Sequence, residues 1–299
     1  MDEEPSGGGR RRVPRRSLLV AGATGGLVLG TAGGLGPLAD VAADVLGVSR
    51  APSATETITV ERVHSKARGR DVDLVMILPA GVSTKWLPAC LLLHGLNADA
   101  QHAAPAGLAE QLTSAVSRGR IPPLAFVAVD GGNNYWHDNR GDNAMAMLLE
   151  EVPGWLADRR LGDANGVPFA CAGISMGGFG SLLYARRRNE LGNPLRAAAA
   201  ISPGLLTSWR EMSTRRAFRD NQQWASLDPL RNVDKLGTVR IGIWCGTEDH
   251  FIEGARKFIK LAGPEVGYTG PGGHGHSFYR RIVPDVLAFL GKHTPAGRR

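Results

Sequence analysis

Residues 169–185 have the sequence Phe169-Ala-Cys-Ala-Gly-Ile-Ser-Met-Gly-Gly-Phe-Gly-Ser-Leu-Leu-Tyr-Ala185. The apolar run 169–173 is typical of a buried strand, and the segment from 178 onward is compatible with a helix. Between them, the glycines at 173 and 177 relieve the crowding that a strained residue at position 175 would create. The sequence therefore predicts a strand, a sharp turn and a helix, with Ser175 at the apex of the turn.

The chain on either side of this segment alternates short apolar runs with helical patterns, which predicts parallel strands joined by right-handed helical crossovers. An antiparallel strand pair over residues 55–63 and 71–78 precedes them. The expected fold class is α/β, with a mostly parallel central sheet and helices on both faces. The further predicted strands cover residues 89–93, 125–129, 169–173, 197–201, 239–245 and 266–268, and the predicted helices cover 103–118, 145–160, 178–189, 253–261 and 284–293.

Length and composition favour one catalytic domain. The chain has 299 residues, 43% of them hydrophobic and 21% charged, which is enough to bury a full core. Its net charge is +7, but the basic residues are mostly scattered along the sequence and no nucleic-acid-binding motif accompanies them. Nucleic acid is therefore not an expected partner. Three cysteines stand in apolar runs, and no CxxC or HExxH motif indicates a metal site.

The amino-terminal segment predicts export. Residues 1–43 contain Arg15-Arg16 followed by an uncharged stretch from Ser17 to Ala39, the pattern of a twin-arginine signal read by the export machinery. We expect a linker over 44–54, a catalytic domain over 55–299 and an extracellular or cell-envelope location. An uncleaved membrane anchor is the alternative, because the stretch is long enough to cross a bilayer.

Residues 204–236 are longer than an ordinary connection between a strand and a helix and carry weak helical signals. They could form a small cap over the site or an extended crossover that touches no substrate. The sequence favours neither interpretation.

Ser175 is the candidate nucleophile, and a serine hydroxyl needs a histidine to take its proton and a carboxylate to orient that histidine. The apolar run 239–245 leads into Gly246-Thr-Glu-Asp249, which offers Glu248 and Asp249. Asp249 is preferred because it follows the strand by a few residues and precedes the next helix.

The histidine comes from a glycine-rich loop, Gly270-Pro-Gly-Gly-His-Gly-His-Ser-Phe278, in which His274 and His276 both could reach Ser175. The residues alone do not decide between them.

Backbone amides must also stabilise the oxyanion of the tetrahedral intermediate. Leu91-Leu-Leu-His-Gly-Leu96 ends a predicted strand, so the amide of Leu96 can act together with that of Met176, the residue after the nucleophile. His94 is interpreted first as a residue that shapes this turn and second as a pocket residue.

Together these residues resemble the putative-esterase branch of the α/β-hydrolase superfamily, which includes S-formylglutathione hydrolase, feruloyl esterases and secreted mycolyltransferases. The most specific segment is Gly272-Gly-His-Gly-His-Ser-Phe-Tyr-Arg-Arg-Ile-Val-Pro284. It is similar to the family's histidine segment, in which GGH precedes aromatics, arginine and a proline, and this comparison selects His274. At His276 the family commonly has tryptophan, so the sequence departs from the pattern there.

A second segment, Val129-Asp-Gly-Gly-Asn-Asn-Tyr-Trp-His137, also resembles a loop of secreted members. The resemblance implies that Asp130, Trp136 and His137 line the pocket. As residues of a polar loop with two aromatics, they could equally serve packing.

The predicted function is hydrolysis of carboxylic esters through an acyl-enzyme, with Ser175, His274 and Asp249 as the triad and no cofactor or metal. The expected substrate is a small-molecule, lipid or glycoconjugate ester. Two alternatives stay open: transfer of the acyl group to a sugar or other alcohol, and a non-catalytic binding protein on a hydrolase scaffold.

Overall fold

The structure is a computed structural model that describes residues 57–83 and 85–296. The export signal predicted for residues 1–43 and the linker predicted for 44–54 lie outside the described residues and stay predictions. In the part of the chain that the structure describes, no helix combines the length and apolar character needed to cross a membrane.

The strands of the described residues are β1 Ile58–Ser65, β2 Arg70–Ile77, β3 Ala89–Leu93, β4 Ala125–Val129, β5 Asp138–Asn139, β6 Asp142–Asn143, β7 Ala170–Ile174, β8 Ala197–Ile201, β9 Arg240–Gly246 and β10 Val266–Gly270. β5 and β6 form a separate two-stranded ribbon, and the other strands form an eight-stranded sheet in the order β1-β2-β4-β3-β7-β8-β9-β10. Within the eight-stranded sheet, β1 pairs with β2 and β2 with β4 in antiparallel orientation, and the other pairings are parallel. The prediction of a mostly parallel sheet behind an antiparallel pair is therefore confirmed.

Helices cover both faces of the sheet. They are α1 Leu108–Ser117, α2 Val152–Asp158, α3 Met176–Glu190, α4 Trp209–Ser213, α5 Asn221–Leu227, α6 Ile252–Ala262 and α7 His276–His293. A helical turn Ala144–Ala146 and a π-helical segment Met147–Glu151 run into α2, and short 3₁₀ segments lie at Ala100–His102 and Val233–Leu236.

The last helix begins eight residues earlier than predicted, at His276 rather than Pro284. The prediction was wrong because proline is favoured in the first turn of a helix. Pro284 instead lies inside α7 on its exposed side, where water can satisfy the carbonyl that loses its partner.

Two hydrophobic clusters, one on each face of the sheet, form the core. Successive residues of β3 alternate between them, because side chains of a strand point to opposite faces. Leu91 packs in the cluster that contains Phe179 of α3, and Leu92 packs in the cluster that contains Leu112 of α1. Both faces of the central strands are therefore dry, and polar chemistry is confined to the loops at the strand ends.

Cys90, Cys171 and Cys245 are free thiols, buried in strands of the sheet. Burial raises the pKa of all three thiols, which keeps them protonated and unreactive. They act as small core side chains.

Residues 204–236 contain α4, α5 and the 3₁₀ segment Val233–Leu236. Met212 and Trp224 anchor the two helices, since neither side chain is exposed to solvent. One residue of the segment, Arg215, reaches the cavity described below.

Candidate active site

Ser175 lies at the turn between β7 and α3 in a backbone conformation that ordinary residues rarely adopt, with φ of 58° and ψ of −117°. The neighbouring chain holds it there. The amide of Ser175 donates to the carbonyl of Ile201 at 2.9 Å, and the carbonyl of Ser175 accepts from the amide of Gly204 at 2.7 Å. The predicted strand, turn and helix are thus present. Hydrogen bonds to Ile201 of β8 and to Gly204 just after it hold Ser175 in its strained backbone conformation.

Glycine is required on both sides of this turn. A Cβ atom added to Gly173 would lie 2.1 Å from the carbonyl oxygen of Gly177, and one added to Gly177 would lie 1.9 Å from the carbonyl oxygen of Leu93. Real Cβ atoms do not approach backbone so closely. Close packing therefore requires glycine at positions 173 and 177, whatever the role of Ser175.

Ser175 lines an open cavity of about 400 Å³ at the carboxyl ends of the parallel strands. His274, His276 and Leu96 line the same cavity, so four of the residues selected from the sequence meet in one place. Leu96, Ser175 and His274 follow strands β3, β7 and β10, and His276 is the first residue of α7.

Asp249 follows β9 and lies directly beneath the cavity wall. Its side chain has no exposed surface, and its Oδ2 atom lies 2.8 Å from Nδ1 of His274. Its Oδ1 atom accepts from the amide of Phe251 at 2.8 Å. Burial acts to raise the pKa of Asp249, but the hydrogen bonds from His274 and the Phe251 amide outweigh it, so this pKa lies below its usual value.

Glu248, the other candidate acid, is exposed and points elsewhere. Its Oε2 atom accepts from the amide of Gly272 at 3.1 Å, in the histidine loop. It contacts the backbone that carries His274 and makes no contact with the imidazole.

The two candidate histidines differ in their surroundings. The ring of His274 lies edge-on to Tyr279 at 5.7 Å and to Phe251 at 5.2 Å, so aromatic neighbours fix its plane. His276 is exposed as the first residue of α7, and the structure records no hydrogen bond for its ring. Of the two, only His274 contacts a carboxylate.

The backbone amides predicted to stabilise an oxyanion are those of Leu96 and Met176. The amides of Leu96 and Met176 find no acceptor among the described residues. A Cβ atom added to Gly95 would lie 3.6 Å from Cβ of Ser175, which places the loop after β3 in contact with the turn. Free, fixed N–H donors at this place suit a developing negative charge.

His94 is buried and serves the structure of that loop. Its Nε2 atom accepts from the amide of Gly131 at 2.9 Å, so Nδ1 carries the proton and donates to the carbonyl of Gly95 at 2.8 Å. Burial lowers the pKa of His94, which favours this neutral form. His94 lies behind the cavity wall and orients the residue that precedes Leu96.

Trp136 and His137 also lie behind the cavity and do not line it. Trp136 is fully buried, and its Nε1 donates to the carbonyl of His94 at 3.2 Å. His137 stacks on Phe218, and its Nε2 lies 2.8 Å from the carbonyl of Ala217. Both residues support neighbouring loops, which matches the packing alternative for this segment.

Asp130 does not line the cavity either. Its two carboxylate oxygens accept from the amides of Ala100 and Asp73, at 2.8 and 2.9 Å. Like His94, it fixes backbone near the site.

The cavity residues that sequence reasoning missed include His250 and Arg215. His250 stands next to the acid, and its ring lies 4.7 Å from that of His274. Its position beside Asp249 was a usable signal. Arg215 carries no local signal, because only the packing of residues 204–236 brings it to the cavity.

One group of described residues could hold a metal ion. Asp249, His250 and His274 each offer one ligand atom, and these atoms lie within 4.8 Å of one another. The hydrogen bond between Asp249 and His274 uses two of the same groups. A metal ion bound there would therefore displace the proton on Nδ1 of His274.

Structural relatives share this fold. A ferulic acid esterase is 19% identical with a TM-score of 0.65, over 79% of this chain and 98% of that one. The fluorophosphonate-binding serine hydrolase FphF of Staphylococcus aureus is 18% identical with a TM-score of 0.61, over 79% and 98%. An S-formylglutathione hydrolase from Agrobacterium tumefaciens is 17% identical with a TM-score of 0.63, over 83% and 99%. At such identities the likeness shows the α/β-hydrolase fold.

Comparison of the sequence with family models identifies the family. No curated protein matches the chain by sequence. A family model does match: the model described as "Putative esterase" covers residues 65–279, which is most of the chain. The chain therefore belongs to the Putative esterase family and is a carboxylic ester hydrolase of the α/β-hydrolase fold.

Proposed function

We propose that the protein hydrolyses carboxylic esters through an acyl-enzyme on Ser175, with His274 as general base and Asp249 as the residue that orients it. One observation carries the proposal. Ser175 stands strained at the edge of the cavity that His274 also lines, and His274 contacts a fully buried carboxylate. Strain at a nucleophile and a buried acid behind a histidine are costly features that a purely structural site would not need.

The tautomer of His274 follows from its partner. A carboxylate can only accept hydrogen bonds, and the lowered pKa keeps Asp249 ionised at neutral pH. The Nδ1 atom of His274 must therefore carry a proton, and Nε2 is left with a lone pair that can accept the proton of the serine hydroxyl.

In the first half of the reaction, Oγ of Ser175 bonds to the ester carbonyl carbon while its proton passes to Nε2 of His274. The amides of Leu96 and Met176 hold the oxyanion that forms on the carbonyl oxygen. The intermediate collapses when the bond to the alcohol oxygen breaks, and His274 returns the proton to that oxygen. The alcohol leaves, and the acyl group stays on Ser175.

In the second half, water attacks the acyl carbon and gives its proton to His274. Collapse of the second intermediate releases the carboxylic acid and restores the serine hydroxyl. An alcohol that enters in place of water would receive the acyl group, so transfer differs from hydrolysis only in the acceptor.

A panel of 4-nitrophenyl esters from acetate to palmitate tests the proposal, with native protein beside Ser175→Ala. We expect turnover of short or medium chains and loss of activity by at least about 10⁴-fold in the variant. Mass spectrometry after incubation with a fluorophosphonate should find one adduct, on Ser175. Comparable turnover by Ser175→Ala, or an unlabelled Ser175 in folded protein, would overturn it. Added alcohols report transfer as transesterified product.

We also propose that the protein is exported, which the Arg15-Arg16 pair and the uncharged stretch after it support. In a bacterial host with a twin-arginine pathway, Arg15→Lys combined with Arg16→Lys should leave the protein in the cytoplasm. Export of the double variant at the native level would contradict this.

A further inference from the structure

We propose that the preferred ester of this site carries an anionic group, a carboxylate or phosphate, and that Arg215 selects for it. The inference rests on the function proposed above and adds the chemical class of the substrate. The side chain of Arg215 lines the cavity that contains Ser175 and His274, yet no described carboxylate pairs with it.

The charge on Arg215 is incompletely satisfied. Its Nε atom is buried and has no hydrogen-bond partner among the described residues. Its guanidinium carbon lies 5.7 Å from the centre of the Phe251 ring, a contact that orients the group without using its donors. Arg68, by contrast, is a buried arginine whose guanidinium pairs with Asp142 at 2.6 Å. A guanidinium with free donors in a cavity suits a carboxylate or phosphate.

The rest of the cavity wall also favours a negatively charged ligand. Four histidines line it together with Arg215, and no aspartate or glutamate does. Two carboxylates contact wall histidines from outside the cavity lining: Asp249, which has no exposed side-chain surface and is bonded to His274, and Asp99, which lies 2.7 Å from His102. A bound anion would therefore meet positive or hydrogen-bond-donating groups without an opposing negative charge on the wall.

The position of Arg215 is fixed rather than incidental. The amide of Arg215 donates to the carbonyl of Met212 at 3.0 Å, and Arg216 reverses the chain with a φ of 54°. Ala217 follows, buried, with its carbonyl 2.8 Å from His137. Buried anchors on both sides hold the guanidinium over the cavity, so residues 204–236 contribute a selective group to the site.

Matched ester pairs test the inference. On the acyl side, mono-4-nitrophenyl adipate and 4-nitrophenyl hexanoate differ only in a terminal carboxylate in place of a methyl group. On the alcohol side, 4-acetoxybenzoate is compared with its methyl ester. The readout is the ratio of kcat/KM within each pair, measured for native protein, Arg215→Gln, Arg215→Lys and Arg210→Gln. Arg210 is an exposed arginine of the same segment that does not line the cavity.

In Arg215→Gln we expect the anionic-to-neutral ratio of one pair to fall about tenfold or more, the scale of one charge-assisted hydrogen bond. The loss should appear mainly as a raised KM, because the anion is held equally before and during the reaction. Arg215→Lys should keep part of the preference, and Arg210→Gln should keep the native ratios. The pair that responds tells which side of the ester bears the anion. Unchanged ratios for both pairs in Arg215→Gln would overturn the inference.

Binding separates this inference from the proposed function. Calorimetric titration of Ser175→Ala with mono-4-nitrophenyl adipate and with 4-acetoxybenzoate should show binding of one anion that Ser175→Ala combined with Arg215→Gln loses. If native protein hydrolyses none of these four esters and none of the 4-nitrophenyl panel, but the anion binds through Arg215, the proposed function fails and the anion site stands. If neutral esters are hydrolysed and neither anion binds, the proposed function stands and the anion inference fails.

Discussion

The Nδ1 atom of His274 lies 2.8 Å from Oδ2 of Asp249, and the register of two strands brings them together. β9 and β10 pair in parallel with Gly246 opposite Gly270, the last residues of the two strands. The loops that carry Asp249 and His274 therefore leave the sheet at the same height. A contact between residues distant in sequence follows from pairing at the sheet edge.

The two adjacent acids should differ sharply when their charges are removed. Asp249→Asn keeps the shape of the side chain but allows the wrong tautomer of His274, so kcat should fall by about 10³–10⁴-fold. Glu248→Gln removes a carboxylate that contacts the Gly272 amide and the Thr247 hydroxyl but not His274, so this variant should stay within a few-fold of native activity. Steady-state kinetics with a 4-nitrophenyl ester measures both, and equal losses in the two variants would contradict the assignment.

The two histidines of the loop form a second matched pair. His274→Ala removes the group that contacts Asp249, and kcat/KM should fall by at least about 10³-fold. His276→Ala changes an exposed residue at the start of α7, so most of the activity should remain. Circular dichroism spectra of both variants control for folding. A larger loss in the His276 variant would transfer the role of general base to that residue.

The parallel strands and the turn around Ser175 could be predicted because each is encoded locally. Short apolar runs gave β3, β4 and β8 with their observed bounds. Gly173 and Gly177 are required because a side chain on either would clash with the backbone of the turn or of the adjoining strand β3. These clashes are close to Ser175, so a short sequence motif was enough to predict the turn.

The cavity wall could not be predicted in the same way. Arg215 belongs to a segment without a regular pattern, and its place depends on Met212 and Ala217 being buried under distant elements. Trp136 and His137 are the opposite case. Their local sequence resembles a pocket-lining loop, but both side chains are buried behind the cavity wall. Whether a polar residue faces a cavity or the protein interior depends on tertiary packing, which a local pattern does not contain.

Gly177 should be intolerant of a side chain whatever its role in catalysis. An added Cβ would lie 1.9 Å from the carbonyl oxygen of Leu93, so Gly177→Ala must move β3 or α3 and should cost about 3 kcal/mol or more in free energy of unfolding. At Gly154, exposed in α2, an added Cβ meets nothing within 4 Å, and Gly154→Ala should stabilise by about 0.5–1 kcal/mol. Urea unfolding compares them. Similar stability of the two variants would show that the turn relaxes more easily than its packing indicates.

Asp228 should make the protein less stable as the pH rises. Burial raises its pKa to about 6, although the amide of Leu230 and the charge of Arg231, 3.4 Å away, act in the opposite direction. The carboxyl of an unfolded chain has a pKa near 3.9, so the folded state holds the proton more tightly. Its contribution is greatest below that value and is lost as the pH rises through about 6.

Asp228→Asn removes this titration. Between pH 4.0 and pH 7.5 the free energy of unfolding of the native protein should fall by roughly 2 kcal/mol more than that of the variant. Urea unfolding of both proteins at a series of pH values measures the difference, and subtracting one curve from the other cancels every group they share. If the two proteins show parallel pH dependence, the buried carboxyl is ionised at no cost, and the pair with Arg231 must then compensate its burial in full.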